Sequence, residues 1–434
     1  MRETIMNYQA QRGSVLHFLD QHSPEYFADG ILVTDSDKGT VVAVGEAESI
    51  LAQFPQLQVT EHSQALICPG FIDTHIHYPQ VDVIASYGEQ LLDWLNNYTF
   101  PHESKFADEA HASETADFFL RELLKNGSTT GLVFGTVHPQ SVDAFFRASE
   151  ALNTRMICGK VMMDRNAPDF LCDDVASSKN DSQALIDRWH GKGRQLYAVT
   201  PRFAITSTPE QLAAAGELLA DNPGVYMQTH LSENLDEIAF VKELFPQRKN
   251  YLDVYDHYGL LGEYSTFAHG VHLEDGEYQR LSETGSKIAF CPTSNLFLGS
   301  GLLPLDDQPF PVGVSVATDV GGGTSFSMLQ TMSEAYKVCQ LRGHRLSPQQ
   351  AFYMMTLGNA KSLKLDDKLG NFTAGKEADF VVLDLAATEL MQRRQAICNT
   401  LDETLFCLTI LGDDRSVAET WVAGKKVYSK DEAN

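Results

Sequence analysis

His75 and His77 stand two residues apart in the run Pro-Gly-Phe-Ile-Asp-Thr-His-Ile-His-Tyr-Pro-Gln, residues 69–80. Alternate side chains of an extended chain share a face, so both imidazoles point the same way. Two imidazoles so placed can reach one divalent ion, although packed or hydrogen-bonded histidines give the same spacing. Further ligands have to come from elsewhere in the chain.

Four later apolar runs end in residues able to supply them: Thr200-Pro201-Arg202-Phe203, Gln228-Thr229-His230-Leu231-Ser232-Glu233, Ala268-His269-Gly270 and Ala317-Thr318-Asp319. His230 alone reads as a core histidine, but beside His75 and His77 it becomes a third ligand. Asp319 closes a buried apolar run, where a carboxylate must be paired, hydrogen-bonded or metal-bound. Three imidazoles and one carboxylate leave room for a water on a divalent ion, and bound zinc brings the pKa of water down to about 7. Glu233 follows His230 by three residues, within reach of an atom beside the ion; a carboxylate favoured by the start of a helix has the same position. His269 suits a hydrogen bond to the water or to a product oxyanion. Glu233 and Asp319 together offer proton transfer on two sides of a substrate.

These residues must be held by a scaffold that brings strand ends together. Eight apolar runs, 66–77, 129–134, 156–163, 196–200, 225–230, 266–269, 287–291 and 312–318, alternate with helix-like stretches such as 107–125, 209–219, 233–244 and 326–341. That rhythm predicts βα units and a parallel sheet. Eight such units fit an α/β fold of the (β/α)8 barrel type, whose chemistry sits at the carboxyl ends of its strands. A doubly wound open sheet is the alternative, weakened by the lack of a Gly-x-Gly-x-x-Gly after a first strand. Both chain ends are β-rich, with short runs at 14–18, 30–35, 40–45, 380–383 and 419–428. Neither end has enough strands to bury a face alone, so the expectation is that 1–68 and 366–434 pair into one small sheet domain, flanking a barrel over 69–365.

Composition narrows the partners. Of 434 residues 43% are hydrophobic and 21% charged, and the net charge of -25 comes without a run of Lys and Arg. Nucleic acid is disfavoured, and a neutral small molecule suits so acidic a chain better than an anion. The seven cysteines lack Cys-x-x-Cys spacing and read as reduced thiols. Neither a signal-like apolar segment nor a membrane span is expected, which points to the cytoplasm.

The His-x-His pair with His230, His269 and Asp319 resembles the metal-dependent amidohydrolase superfamily, which implies that the two β-rich ends form its composite β-sandwich beside the (β/α)8 barrel. More narrowly, residues 69–80 together with Leu91-Leu92-Asp93-Trp94-Leu95-Asn96-Asn97-Tyr98-Thr99-Phe100-Pro101, Pro201-Arg202-Phe203, His230-Leu231-Ser232-Glu233-Asn234 and Cys291-Pro292-Thr293-Ser294-Asn295 resemble its guanine deaminases. The resemblance implies one metal ion, usually zinc, on His75, His77, His230 and Asp319. It implies that Gln80 and Arg202 contact the purine edge, that Phe203 lines or stacks on it, that Glu233 shuttles a proton and that His269 assists at the water. Arg202 stands where binuclear relatives carry a carboxylated lysine, which favours a single ion. The implied reaction is hydrolysis of guanine to xanthine and ammonia by a homodimer. A deaminase of another aminopurine, a pterin or a triazine is the competing enzyme, and a silent scaffold the competing class.

Overall fold

The structure, a computed structural model, describes residues 7–87, 90–305 and 308–432. Residues 1–6 and 433–434 of the expected end segments lie outside the described residues. The chain opens with four strands, β1 (Tyr8–Asp20), β2 (Ser23–Asp35), β3 (Thr40–Glu46) and β4 (Gln58–Pro69). The barrel strands follow: β5 (Phe71–His77), β6 (Ser128–Phe134), β7 (Arg155–Gly159), the short β8 (Val161–Met162), β9 (Leu196–Pro201), β10 (Tyr226–Leu231), β11 (Ser265–His269), β12 (Lys287–Phe290) and β13 (Gly313–Val316). The chain closes with β14 (Phe380–Asp384), β15 (Val417–Val422) and β16 (Lys425–Ser429).

The parallel sheet runs β5-β6-β7-β9-β10-β11-β12-β13, with β8 paired to β9. These eight principal strands correspond to the eight apolar runs of the sequence. Their near-continuous burial is what a parallel sheet covered on both faces requires, and it explains why they lack polar alternation. The first run, 66–77, is two strands: Gly70 divides β4, which belongs to the end sheet, from β5, which opens the barrel.

Backbone hydrogen bonds close the ring between its first and last strands. His77 N–H donates to Val320 O at 2.8 Å, and Asp319 N–H donates to His75 O at 2.9 Å. At the opposite end, the Asn359 amide donates to Ile72 O at 2.6 Å and Val316 O at 2.8 Å and accepts from Val316 N–H at 2.9 Å. Ile72, Leu132, Ile157, Ala198 and Tyr226 pack there against Leu363, Leu365 and Leu369, which plug the barrel floor.

Both chain ends join one seven-stranded sheet, β16-β15-β14-β4-β1-β2-β3. Its edge strand β3 also meets residues 375–378, through Val41 N–H to Lys376 O at 2.8 Å and Gly375 N–H to Val41 O at 2.9 Å. The sheet therefore curls around a core of Val15, Leu32, Val41, Ile67, Phe380, Val382 and Trp421. Strands β1 and β2 are longer than the expected 14–18 and 30–35: the added part of β1 mixes the polar Gln9, Gln11 and Arg12 with Ala10, and the added part of β2 alternates between half-buried and exposed positions. All seven cysteines are free, and no helix of the described residues is long and apolar enough to cross a membrane.

Candidate active site

Four side chains converge at the carboxyl end of the barrel. His77 Nε2 lies 3.3 Å from His75 Nε2 and 3.2 Å from His230 Nε2, and Asp319 Oδ1 lies 3.1 Å from His75 Nε2 and 3.5 Å from His77 Nε2. Burial lowers the pKa of all three imidazoles, and for His77 and His230 the neighbouring imidazoles push it further down. They are therefore neutral. His230 Nδ1 lies 2.7 Å from Arg202 O, an acceptor only, so the ring proton sits on Nδ1 and Nε2 presents a bare lone pair. Asp319 has burial working to raise its pKa, but the imidazoles of His75, His269 and His230 outweigh it and hold the value at about 2. The ligand atoms of His75, His77 and His230 lie within 4.8 Å of one another, and Asp319 shares a second cluster of that size with His75, His269 and Cys291, so the donor set fits a divalent ion.

Backbone conformation aims several of these groups. His269 and Asp319 have φ of 72° and 53°, and Ser232, just before Glu233, has 47°. Left-handed backbone at non-glycine residues costs of the order of 1–3 kcal/mol each and clusters where function needs a side chain turned out of a strand. Gly321, two residues after Asp319, has no room for a side chain, because a Cβ there would lie 2.5 Å from Gln80 O.

Glu233 lies beside this cluster, 2% exposed, with its Oε2 3.3 Å from His269 Nε2 and its Oε1 accepting from Ser300 Oγ at 3.0 Å. Burial raises its carboxyl pKa to about 7, against the pull of His269. Burial alone would lower the pKa of His269, but Glu233 and Asp319 reverse the sign and raise it. Its Nδ1 is 2.9 Å from Asn295 Oδ1, which orients the ring. Glu233 does not start a helix. The helix expected over 233–244 is Leu235–Leu244, capped by Asn234, whose side chain accepts from Asp236 N–H at 2.9 Å.

Gln80, Arg202 and Phe203 line the same pocket as His77, His230, Glu233, His269 and Asp319. Leu91, Trp94 and Leu95 cover it from the helix Leu91–Trp94, which continues through a π-helical turn, Leu95–Thr99, into Phe100–Glu103. The wide turn precedes Pro101, which has no N–H to donate back, and Phe100 N–H reaches Leu95 O instead.

Several participants escaped the sequence reading. Glu103 is bonded to both Gln80 and Arg202. Glu237 accepts from the backbone N–H of Glu233 at 2.8 Å and from Tyr251 OH at 2.8 Å. Asp73 shares the strand face of His75 and His77, yet it binds Thr318 N–H at 3.1 Å and Thr318 Oγ1 at 2.5 Å and so fastens β5 to the turn that carries Asp319. The partners of Glu103 and Asp73 are far away in sequence, so no local motif marks them, whereas Glu237 is the third helical residue of a capping box with Asn234. The side-chain carbonyl of Gln80 is already engaged by Gly321 N–H at 3.2 Å.

The sequence profile of the Amidohydrolase family matches residues 66–427. A guanine deaminase of Escherichia coli (strain K12) is 55% identical over 407 residues, 93% of this chain and 92% of that protein. The solved E. coli guanine deaminase superposes with a TM-score of 0.94 at 52% identity, covering 97% of this chain and all of that one (100%). A guanine deaminase from C. acetobutylicum, solved with guanine bound in its active site, gives 0.89 at 28% identity, covering 97% of this chain and 100% of that one. A barrel whose strand ends carry this ligand-like cluster, matched along nearly its whole length by such relatives, settles the kinship: the chain belongs to the amidohydrolase family, in its guanine deaminase branch.

Proposed function

We infer that this chain hydrolyses guanine to xanthine and ammonia, and that His75, His77, His230 and Asp319 hold one divalent ion, zinc, for the purpose. The observation that carries this reading is the placing of Arg202 and Gln80 in one pocket with Glu233 and the imidazole cluster. One part of that space suits the carbonyl-bearing ring edge, and the other suits attack on the carbon that bears the amine. When bound, the ion supplies Lewis acidity that makes a water nucleophilic at neutral pH.

The remaining chemistry belongs to side chains. Arg202 donates to the guanine carbonyl, Gln80 donates a further N–H, and Phe203 lines the base plane. Glu233, with a pKa raised to about 7, carries a proton at neutral pH and delivers it to the ring nitrogen next to the amine-bearing carbon. That protonation makes the carbon more electrophilic. Asp319, held ionised, takes the proton of the attacking water and passes it to the departing amine, so one water is consumed and one ammonia leaves. His269, whose raised pKa favours a donor, supports the developing oxyanion. The barrel over 69–365 carries all of these groups, and 1–68 with 366–434 form the supporting sandwich. The protein acts as a cytoplasmic homodimer in this reading.

The test is a specificity profile of the metal-replete protein, comparing kcat/KM for guanine, adenine, cytosine, a pterin and an aminotriazine by ammonia release. Guanine is expected to lead. A higher value for any of the others would overturn the purine assignment of Gln80 and Arg202.

A further inference from the structure

Glu103 is 1% exposed and sits at the end of the helix that covers the pocket. Its Oε1 accepts from Gln80 Nε2 at 3.2 Å and from Arg202 Nη1 at 3.0 Å, and its Oε2 accepts from Arg202 Nη1 at 2.8 Å. The partners lie 23 and 99 residues away in sequence. Arg202 is 2% exposed, with its guanidinium carbon 5.3 Å from the centre of the Phe100 ring. A buried guanidinium stays charged and needs a counter-ion.

We propose that Glu103 is the positioning residue through which the site selects a neutral base with a carbonyl-bearing edge: its carboxylate holds Arg202 and Gln80 as one fixed pair of donors. The proposal rests on Arg202 and Gln80 being the groups that bind guanine. Gln80 cannot reverse its amide, because reversal would set its carbonyl against the Glu103 carboxylate and its NH2 against Gly321 N–H. It is left with an N–H for a ligand. Arg202 is tied through Nη1, which restrains a long side chain that would otherwise have several rotamers open to it. The site therefore offers donors to an incoming ring. Because Glu103 already balances the Arg202 charge, an anionic ring finds no unpaired cation here, and the acceptors offered to these donors have to be those of a neutral base.

The experiment is a double-mutant cycle on the metal-loaded enzyme with E103Q, R202M and E103Q/R202M. Guanine is compared with 2-aminopurine, which lacks the carbonyl and is read as a substrate or, where it is not turned over, as a competitive inhibitor. E103Q is expected to retain its metal and to lose between about 10-fold and 100-fold in kcat/KM for guanine, mainly through KM, the size of one charge-assisted hydrogen bond. The effect on 2-aminopurine should be several-fold smaller. In the R202M background, adding E103Q should cost little more, because residues acting as a unit are non-additive. E103D, which keeps the charge one methylene short, should show a milder form of the same selective loss, and it carries the test if the isolated buried guanidinium of E103Q prevents folding. Equal losses for guanine and 2-aminopurine, or full additivity with R202M, would overturn the proposal while leaving the guanine reading of Arg202 in place. Unchanged guanine kinetics in R202M would overturn that reading, and the proposal with it.

Discussion

The barrel mouth and the barrel's contact with the end sheet both bury several charged side chains, and they handle them in opposite ways. At the contact, Arg155 and Arg194 face Glu377 and Asp379. Arg194 Nη2 reaches Glu377 Oε2 at 2.7 Å and Asp379 Oδ2 at 2.5 Å, Arg155 pairs with both oxygens of Glu377, and Ala423 N–H donates to Asp379 Oδ1 at 2.8 Å. Two cations meet two anions, and only Arg194 Nε is left unpartnered. At the mouth, three neutral imidazoles crowd a carboxylate, a second carboxyl is pushed up to about 7, His77 Nδ1 has no hydrogen-bond partner, and His269 Nε2 faces Glu233 Oε2 at 3.3 Å and Asp319 Oδ2 at 3.8 Å. The contact is complete without a ligand. The mouth instead gathers imidazoles and carboxyls whose pKa values are displaced in opposite directions, and that difference distinguishes a structural charge cluster from a candidate functional one.

The sharpest way to break the comparison is at the proposed ion. His230→Ala or Asp319→Asn should abolish turnover and lower metal content, measured by elemental analysis, while the circular dichroism spectrum stays unchanged. A fully metallated, active His230→Ala enzyme would remove that residue from the ligand set. Next in size is Glu233→Gln, which keeps the hydrogen-bonding reach and loses the titrating proton. Its kcat should fall by about 100-fold to 10,000-fold with metal content unchanged. Near-normal turnover would leave Glu233 without a proton-transfer role.

The contact should respond in the other currency, stability. Glu377→Gln leaves two buried guanidiniums facing one carboxylate and should cost about 3 kcal/mol in denaturant unfolding, while kcat of the folded fraction is unchanged. A loss of kcat larger than the loss of folded protein would mean that the two regions are coupled. The last prediction reverses the sign at the mouth. In metal-free protein the folded pKa of Glu233, about 7, exceeds its ordinary 4.5, so this group's stability contribution is fully present below pH 4.5 and is lost as pH rises through 7. Metal-free Glu233→Gln should therefore be more stable than its parent at pH 8, by roughly 3 kcal/mol at most, with the gap closing toward pH 4.5. Equal melting temperatures at pH 8 would show that the carboxylate is not strained by burial.

What the sequence made legible follows the same division. Groups on strand ends could be found because a buried apolar run that stops at His230, His269 or Asp319 leaves a polar residue where only chemistry or a partner explains it. The eight barrel strands were legible for the same reason, apart from the split at Gly70, which depends on which sheet each half joins. Glu103 was not legible: it lies in a helical stretch, where a Glu reads as solvated surface, and only the approach of Gln80 and Arg202 buries it. Asn234 and Glu237 have the spacing of a helix-capping pair, but the bond from Tyr251 OH to Glu237 depends on a later helix packing beside it. The outer parts of β1 and β2 pair along their whole lengths, but the pairing is fixed by backbone register, with an irregularity between Gly13 and Val15 that side-chain pattern does not encode.

The ring of strands closes through the backbone of the same residues that would hold the ion: His77 N–H to Val320 O, and Asp319 N–H to His75 O. During synthesis, the segment carrying His75 and His77 leaves the ribosome more than two hundred residues before the segment carrying Asp319. Until then the nascent chain owns imidazoles but no carboxylate to complete the set, and no last strand to hold the first one in place. With the proposed ligand set, full ion capture and ring closure would be a single late event, and an ion bound by all four side chains would fasten the seam where the barrel begins and ends.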